Sequence, residues 1–248
     1  MPAVRRVGHK GADLLAPGNT AAAFAAAVGV GVDMLEFDVL PAEPDGTGEL
    51  HLAHDYDDLR ARPDALTLEQ GLEHLAGSAY AGLELDVDLK LPGYELRVLE
   101  ALRRHGLLER CLICSTHPAS LRALRAAAPQ VRLGFSYPAL RKDPTTRPGT
   151  KYAALAAAAG ARRILPVVLG RRIRRGEFDA VMIHWRLMSP ALLRAVRGAG
   201  GELYVWTVDD PALVASLVAL GVDGVITNDP TLFRGGDGGR AVAPIRRS

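Results

Sequence analysis

The sequence predicts an α/β fold, a closed (β/α)8 barrel of the TIM type formed by a single domain. Short apolar runs alternate with helical stretches rich in alanine and leucine along nearly the whole chain. About eight strand and helix pairs fit into about 230 residues, which is the size of one such barrel. The 248 residues are 48% hydrophobic, enough to bury one large core.

Each predicted element follows from its local pattern. The barrel strands are the apolar runs at 5–11, 33–40, 81–90, 111–116, 131–136, 180–185, 202–207 and 224–229. The helices are predicted at 19–31, 66–77, 93–107, 118–128, 189–200 and 211–221, with two helical segments at roughly 150–160 and 165–177. Asn19 or Thr20 caps the first helix and Thr67 the second, and a short extra strand lies within 48–55.

An open doubly wound sheet is the alternative fold. That fold would favour a glycine-rich dinucleotide-binding turn after the first strand, and GHKGAD is not such a turn. We expect the barrel to occupy residues 1–234 and the glycine-rich segment 235–248 to form a flexible tail. The proline-rich loop 136–152 follows the fifth strand and is either a specificity lid or a solvated connection.

Composition excludes several classes of protein. The formal net charge of +2 is nearly neutral for this length, so we expect no polyanion-binding surface and no nucleic-acid partner. The cluster RRIRR at 171–175 is interpreted as a solvated helix face. The amino terminus lacks the apolar run of a signal peptide, and no window approaches the roughly 20 apolar residues of a membrane span. We therefore expect a cytoplasmic protein, and the sequence leaves its oligomeric state open.

The two cysteines, Cys111 and Cys114, form the motif CLIC. This spacing is compatible with a redox pair or with half of a zinc site. The motif lies inside an apolar run and the chain has no second cysteine pair, so we interpret both as buried thiols.

The segment ELDVDLK (84–90) alternates charged and apolar residues. Side chains alternate faces along a strand, so its four charged residues share one face. In a barrel this face points into the lumen, which places Asp88 and Lys90 at the mouth, where the active sites of this fold lie. Glu84 and Asp86 lie deeper and need hydrogen-bond partners or protonation.

The preceding strand repeats this pattern, with Glu36 and Asp38 on one face of LEFDV. Together with Asp88, three carboxylates would gather at neighbouring strand ends, where uncompensated anions repel strongly. A hard divalent cation such as magnesium, calcium or manganese is one remedy. Structural ion pairs with lysines or arginines of the lumen are the alternative.

Two histidines and two lysines fall at the same predicted mouth. His9 ends the first strand and His54 ends the short extra strand, while Lys10 and Lys90 are two of only four lysines in the chain. Compact ammonium groups suit a phosphate, and two histidines can move protons on either side of it. Trp206 ends the seventh strand and is either an aromatic wall for an apolar part of the substrate or a packing residue.

The motifs GHKGADLLAPGNTAAAF, DMLEFDV, LAHD, DLK and YVWTVDDP…LGVDGVITNDP resemble the motif series of glycerophosphodiester phosphodiesterases. The resemblance runs in the same order from about residue 5 to 233. It implies a metal-dependent βα barrel that cleaves a lipid-derived or other small phosphodiester into an alcohol and glycerol 3-phosphate.

The same resemblance implies roles for individual residues. By motif, His9 and His54 match the acid and base, with His9 favoured as the base, although the sequence leaves that order open. Glu36, Asp38 and Asp88 match the metal ligands. Lys90 follows the third ligand as in the family.

Three positions depart from the family pattern. Lys10 stands where arginine is usual, so a bidentate phosphate contact becomes a point contact. Gly18 replaces a common glutamate, and Asp88 replaces a glutamate that is one methylene longer. The Asp-Leu-Lys triplet is also similar to phospholipase D-type toxins, which cleave lysophospholipids or sphingomyelin. A barrel that binds a phosphometabolite without catalysis is a further alternative.

Overall fold

A computed structural model describes residues 3–139 and 151–235 and has a closed parallel barrel at its centre. The strands are β1 (Arg5–Gly8), β2 (Met34–Pro41), β3 (Leu50–His51), β4 (Glu84–Leu89), β5 (Cys111–Ser115), β6 (Arg132–Tyr137), β7 (Ala180–His184), β8 (Glu202–Trp206) and β9 (Gly224–Thr227). All except β3 form the barrel, and β1 pairs in parallel with both β2 and β9, which closes the ring. The predicted (β/α)8 fold is confirmed.

The helices follow the strands around the outside of the barrel. They are α1 (Ala21–Val30), α2 (Tyr56–Ala61), α3 (Leu68–Leu75), α4 (Glu95–Arg104), α5 (Pro118–Ala127), α6 (Lys151–Arg174), α7 (Pro190–Arg197) and α8 (Pro211–Leu220). Thr20 caps α1 by accepting a hydrogen bond from the Ala23 N–H. Thr67 and Gln70 form a reciprocal capping box at α3, as the position of Thr67 predicts.

The structure differs from the predicted elements in two helices and in the length of two strands. Strands β1 and β3 are shorter than predicted, so His9 and His54 follow their strands and do not end them. Helix α6 is continuous through Pro166, where two helical segments were predicted. Proline removes one internal hydrogen bond, but the burial of Leu165 and Leu169 against the barrel holds the helix in one piece. Helix α2 was not predicted, because none of its residues is buried and it therefore has no apolar periodicity.

The apolar core has two layers. The larger layer lies between the strands and the helices, and the smaller one fills the lumen. The lumen layer consists of Val7, Met34, Leu112, Cys114, Ala180, Met182, Tyr204 and Ile226. Both cysteines are free and buried, as expected. Within the described residues, no helix is both long and apolar enough to cross a bilayer.

Glu84 lies at the amino-terminal end of the barrel and is paired there. Its carboxylate accepts from Arg5 Nε at 2.8 Å and from Arg132 Nη1 at 2.6 Å. Both arginines also bind Glu202, so four charged side chains close the bottom of the lumen as alternating ion pairs. This network supplies the hydrogen-bond partners that were expected for Glu84, the deepest charged residue of the ELDVDLK strand.

The expected tail at 235–248 and most of the expected lid at 136–152 lie outside the described residues. The boundary of a single domain at residue 234 stays a prediction.

Candidate active site

A cavity of about 260 Å³ opens at the carboxyl ends of the barrel strands. Its lining includes seven of the eight predicted site residues, and the eighth, Asp38, is fully buried beneath it. The lining residues are His9, Lys10, Glu36, His54, Asp86, Asp88, Lys90, Cys114, Thr116, Ser136, Pro138, Met182, Trp206, Thr207 and Ile226. The structure therefore brings the predicted residues together in one hollow.

The three predicted carboxylates form a compact cluster. Strands β2 and β4 pair in a register that sets Asp38 opposite Asp88, and Glu36 lies two residues before Asp38 on the same face. One oxygen of each carboxylate lies within 4.8 Å of the others. Parallel pairing of two strands with alternating acids is thus sufficient to build the cluster.

Lys90 is the counter-ion nearest to this cluster. Its ammonium group contacts Asp38 and lies 2.6 Å from Asp88 Oδ2. Although burial opposes ionisation, Lys90 and the hydrogen bond from His54 hold the pKa of Asp38 well below its usual range. These contacts of Lys90 are of the kind that the alternative of structural ion pairs predicts.

Lys90 does not neutralise the whole cluster. Burial and then the charge of Asp38 raise the pKa of Glu36 well above its usual range. Burial also raises the pKa of Asp86 to about 7, and that residue lies opposite Glu36 in the register of β2 and β4. The site thus holds more carboxylates than its lysines can compensate.

These oxygens fit a hard divalent cation. Asp88 Oδ1 is buried and accepts no hydrogen bond from any described residue. The carboxylate oxygens of Glu36, Asp38 and Asp88 are the donor type that magnesium, calcium and manganese prefer. A cation at this point would relieve the repulsion from Asp38, which together with burial raises the pKa of Glu36.

Glu36 also shapes the loop after β1. Its Oε2 accepts from the Lys10 N–H at 2.6 Å. Lys10 has a φ of +50°, in the left-handed region that costs energy for a residue with a Cβ. The Lys10 side chain lines the cavity, with its Nζ 3.4 Å from Asp13 Oδ2.

His54 is held from two directions. Its Nδ1 lies 3.2 Å from Asp38 Oδ2, and its backbone N–H donates to Asp58 Oδ2 at 2.9 Å. A carboxylate only accepts, so Nδ1 carries the proton in this contact. The Nε2 atom remains available to a molecule in the cavity, and the side chain is 44% exposed.

His9 is fixed through an amide. Its Nδ1 lies 2.6 Å from Asn228 Oδ1, and Asn228 Nδ2 donates to Asp209 Oδ2 at 2.6 Å. Since Asp209 binds the amide nitrogen, the amide oxygen faces His9 and requires a proton on Nδ1. Burial and then the charge of Lys10 lower the pKa of His9 to about 4. His9 is consequently neutral near pH 7, with a lone pair on Nε2.

Three supporting residues were not among the predicted site residues: Asn19, Asn228 and Asp209. The fully buried Asn19 donates from Nδ2 to Asp38 Oδ2 at 2.9 Å and accepts from the Asp38 N–H at 3.0 Å. Its φ of +59° is one that asparagine tolerates. Asn19 lies in the PGNT stretch, Asp209 in TVDD and Asn228 in TND. Their positions inside the quoted motifs were the sequence signal that could have identified them.

Trp206 borders the cavity and also packs against protein. Its ring meets that of His184 edge-on, with centroids 5.2 Å apart. Both interpretations of this residue, substrate wall and packing residue, are thus compatible with its position.

A second groove of about 550 Å³ lies away from the mouth, between β3, α3 and α4. Its ionisable groups include Glu69 and Arg104, which pair with each other. It contains neither a histidine nor the acidic cluster, so we place the chemistry in the smaller cavity at the barrel mouth.

Fold and cavity together define a class: a parallel barrel enzyme with an acidic, histidine-containing site at the carboxyl ends of its strands. Residues 77–232 match the Glycerophosphoryl diester phosphodiesterase family. The chain belongs to this family of phosphodiesterases, which confirms the resemblance seen in its motifs. The matched span contains Asp88 and Lys90 but not the earlier motifs, whose placement depends on the geometry described above.

Two relatives illustrate the similarity in sequence. A glycerophosphodiester phosphodiesterase of Caldanaerobacter subterraneus is 24% identical over 255 residues, covering 90% of this chain and 93% of that protein. The glycerophosphodiester phosphodiesterase GDPD4 of Arabidopsis thaliana is 28% identical over 174 residues, or 68% of this chain. The match spans only 45% of the length of the Arabidopsis protein.

Solved structures show the same fold. A putative glycerophosphoryl diester phosphodiesterase from Agrobacterium tumefaciens superposes with a TM-score of 0.71 at 19% identity, covering 93% of this chain and 95% of the other. A phosphodiesterase from Oleispira antarctica, in complex with the product sn-glycerol-3-phosphate, superposes with a TM-score of 0.67 at 20% identity, covering 94% and 96%.

Proposed function

We propose that the protein hydrolyses glycerophosphodiesters to an alcohol and glycerol 3-phosphate, with a divalent cation and two histidines at the barrel mouth. The observation that supports this most directly is the shared cavity. It is lined by two histidines, next to the acidic cluster and two lysines. Nδ1 of His9 contacts an amide oxygen, and Nδ1 of His54 contacts a carboxylate. A site that only binds a phosphate has no need of two proton carriers.

Glu36, Asp38 and Asp88 would hold the cation, which would supply positive charge against the charge that develops on the phosphoryl oxygens. Magnesium, calcium and manganese all suit these ligands. Lys90 contributes a fixed positive charge at the same place, and Lys10 a second one at the rim.

His9 is the proposed base. Its neutral imidazole directs the lone pair of Nε2 into the cavity because Nδ1 is committed to Asn228. Nε2 takes a proton from the attacking oxygen, which belongs to water or to a neighbouring hydroxyl of the substrate. If the hydroxyl attacks, a cyclic phosphate forms, and water then opens it.

His54 is the proposed acid. Asp38 holds Nδ1, so Nε2 is the atom that delivers a proton to the leaving alkoxide. The bond between phosphorus and the alcohol oxygen breaks as that oxygen receives the proton. Trp206 is proposed to border the apolar part of the substrate.

The experiment is a panel of glycerophosphodiesters, lysophospholipids and sphingomyelin, each assayed with magnesium, calcium and manganese. Release of glycerol 3-phosphate from glycerophosphocholine, detected in a coupled assay, would support the proposal. Cleavage of the lysolipid or sphingomyelin alone would replace it with the phospholipase D-type activity that the Asp-Leu-Lys triplet suggests. Binding without turnover of any substrate would contradict both. A role in lipid metabolism and a cytoplasmic location are parts of the same proposal.

A further inference from the structure

Charge is unevenly distributed along the chain. Residues 118–201 contain 16 lysines and arginines against three acids, whereas residues 1–117 contain 10 against 19. Consecutive units of a barrel are neighbours around its circumference, so among the described residues one side of the molecule is mainly basic and another mainly acidic. The net charge of +2 does not reveal this uneven distribution of charge. The expectation of no polyanion-binding surface depended on that net charge.

Helix α6, in the middle of the basic part, also exposes apolar side chains. Ile164, Val167 and Val168 are 61%, 62% and 44% exposed, and they are three of the eight large exposed hydrophobic residues within 3–139 and 151–235. Their spacing of three and four residues places them together on the side opposite the buried Leu169. A helix side that faces only water has no reason to concentrate such residues.

Exposed arginines flank this apolar group. Arg163, Arg171 and Arg174 lie on the same side of α6 as the apolar group, all within about 140° of the helix circumference, and Arg175 directly follows the helix. No ion pair or side-chain hydrogen bond joins any of the four to another described residue. We call these four arginines, with Ile164, Val167 and Val168, the α6 face.

Neighbouring groups in the part of the chain that the structure describes do not neutralise the α6 face. Arg172, on another side of the helix, is the arginine that binds Glu177, with Nε 2.7 Å from the carboxylate. Helix α7 packs closely beside α6, since a Cβ on Gly170 would lie 3.2 Å from Ala195 O. Neither helix contains an acidic residue, and α7 adds the exposed Arg194.

The α6 face begins beside the barrel mouth. Arg162 Nε donates to Arg186 O at 2.9 Å, and Arg186 follows the carboxyl end of β7. The apolar group starts two residues further along α6. The apolar group thus starts near the level of the barrel mouth, and the arginines at 171–175 lie further from the mouth, because α6 runs from the carboxyl ends of the strands toward their amino ends.

The combination of exposed apolar side chains and arginines on the α6 face favours one kind of binding partner. Apolar side chains flanked by arginines match the boundary between the headgroups and acyl chains of an anionic bilayer. A second copy of the chain would bring arginines against arginines without an acid to pair them. A nucleic acid would satisfy the arginines but offers its phosphates, not an apolar surface, to Ile164 and Val167.

We propose that the α6 face docks on the surface of an anionic lipid bilayer, with Ile164, Val167 and Val168 at the acyl boundary and the arginines on the headgroups. This proposal concerns binding alone and does not depend on the proposed catalytic function.

The test is cosedimentation of the full chain with vesicles of phosphatidylcholine, with and without phosphatidylglycerol. We expect binding to the anionic vesicles only. Arg171→Glu/Arg174→Glu should weaken it by at least about tenfold, and Ile164→Ser/Val167→Ser by at least about fivefold.

Matched controls change the same residue types on other helices. Arg103→Glu/Arg122→Glu alters exposed arginines of α4 and α5, and Val218→Ser alters a valine of α8 that is 44% exposed, as Val168 is. Both controls should bind within about twofold of wild type. All of the variants are at exposed positions, and circular dichroism would verify that each is folded.

Three results would overturn the proposal. The first is wild-type protein that does not sediment with the anionic vesicles at low salt. The second is unchanged binding of Ile164→Ser/Val167→Ser alongside loss of binding by Arg171→Glu/Arg174→Glu, which would indicate a polyanion such as a nucleic acid. The third is a wild-type dimer in analytical ultracentrifugation that these substitutions convert to a monomer.

Discussion

The contact between Asn228 and His9 offers the sharpest test of the proposed proton transfer. His9 Nδ1 lies 2.6 Å from Asn228 Oδ1, and the His9 side chain is only 19% exposed. Asn228→Ala removes the acceptor and leaves a mostly buried N–H group without a partner. Such a loss costs about 1–3 kcal/mol. The imidazole can recover part of that cost by changing tautomer or by turning, and either change moves the Nε2 lone pair away from the cavity.

The kinetic consequence follows from this cost. Each 1.36 kcal/mol corresponds to a tenfold change in rate, so we expect kcat to fall by about 5–150-fold. KM should stay nearly unchanged, because Asn228 holds a proton-transferring group and not the phosphate-binding cations. Both constants can be measured with a coupled assay for glycerol 3-phosphate.

A spectroscopic measurement separates positioning from general damage. The ring nitrogens of His9, observed by NMR, should show the proton on Nδ1 in the wild type and a mixture of tautomers in Asn228→Ala. Gln70→Ala is the matched control, since it removes an exposed amide from the capping box of α3, far from the cavity. A folded Asn228→Ala variant with kcat within about twofold of wild type would refute the reasoning.

Further outcomes test the rest of the site. His9→Ala and His54→Ala should each lower turnover by about 10²–10⁴, and losses under about fivefold for both would reject their roles. Excess EDTA should abolish turnover while the protein stays folded, with recovery on adding magnesium, calcium or manganese, so full activity in EDTA would argue against the cation. Arg132→Met should lower the free energy of unfolding by about 1–3 kcal/mol near pH 7 without changing kcat. Burial raises the pKa of Glu202, but the opposing effect of Arg132 is larger. The net result is a pKa of Glu202 below its usual range. The contribution of that ion pair is therefore present above pH ~4.3 and is lost as the pH falls. Chemical denaturation of both proteins at pH 7 and pH 3 would measure this, and an equal difference at both values would contradict it.

The barrel was predictable because its signal is local. Strand and helix periodicities repeat within each unit, and the alternation of Glu36 with Asp38 and of Asp86 with Asp88 already placed these acids on one face of their strands. The continuity of α6 through Pro166 was not predictable in this way. Proline by itself indicates a break, and only the packing of the helix on the barrel overrides that preference.

The candidate site also has features that local sequence signals predict and features that only tertiary packing determines. Residue types and strand ends determined that carboxylates, histidines and lysines meet at the mouth, because parallel strands of a barrel deliver their carboxyl ends to one place. Only the tertiary structure decided which groups hold them. Asn228 reaches His9 across 219 positions of the chain, and β9 must lie beside β1 for that contact to exist. The α6 face has the same origin, since only folding decides that Arg172 binds Glu177 while the arginines of the face make no ion pair with another described residue.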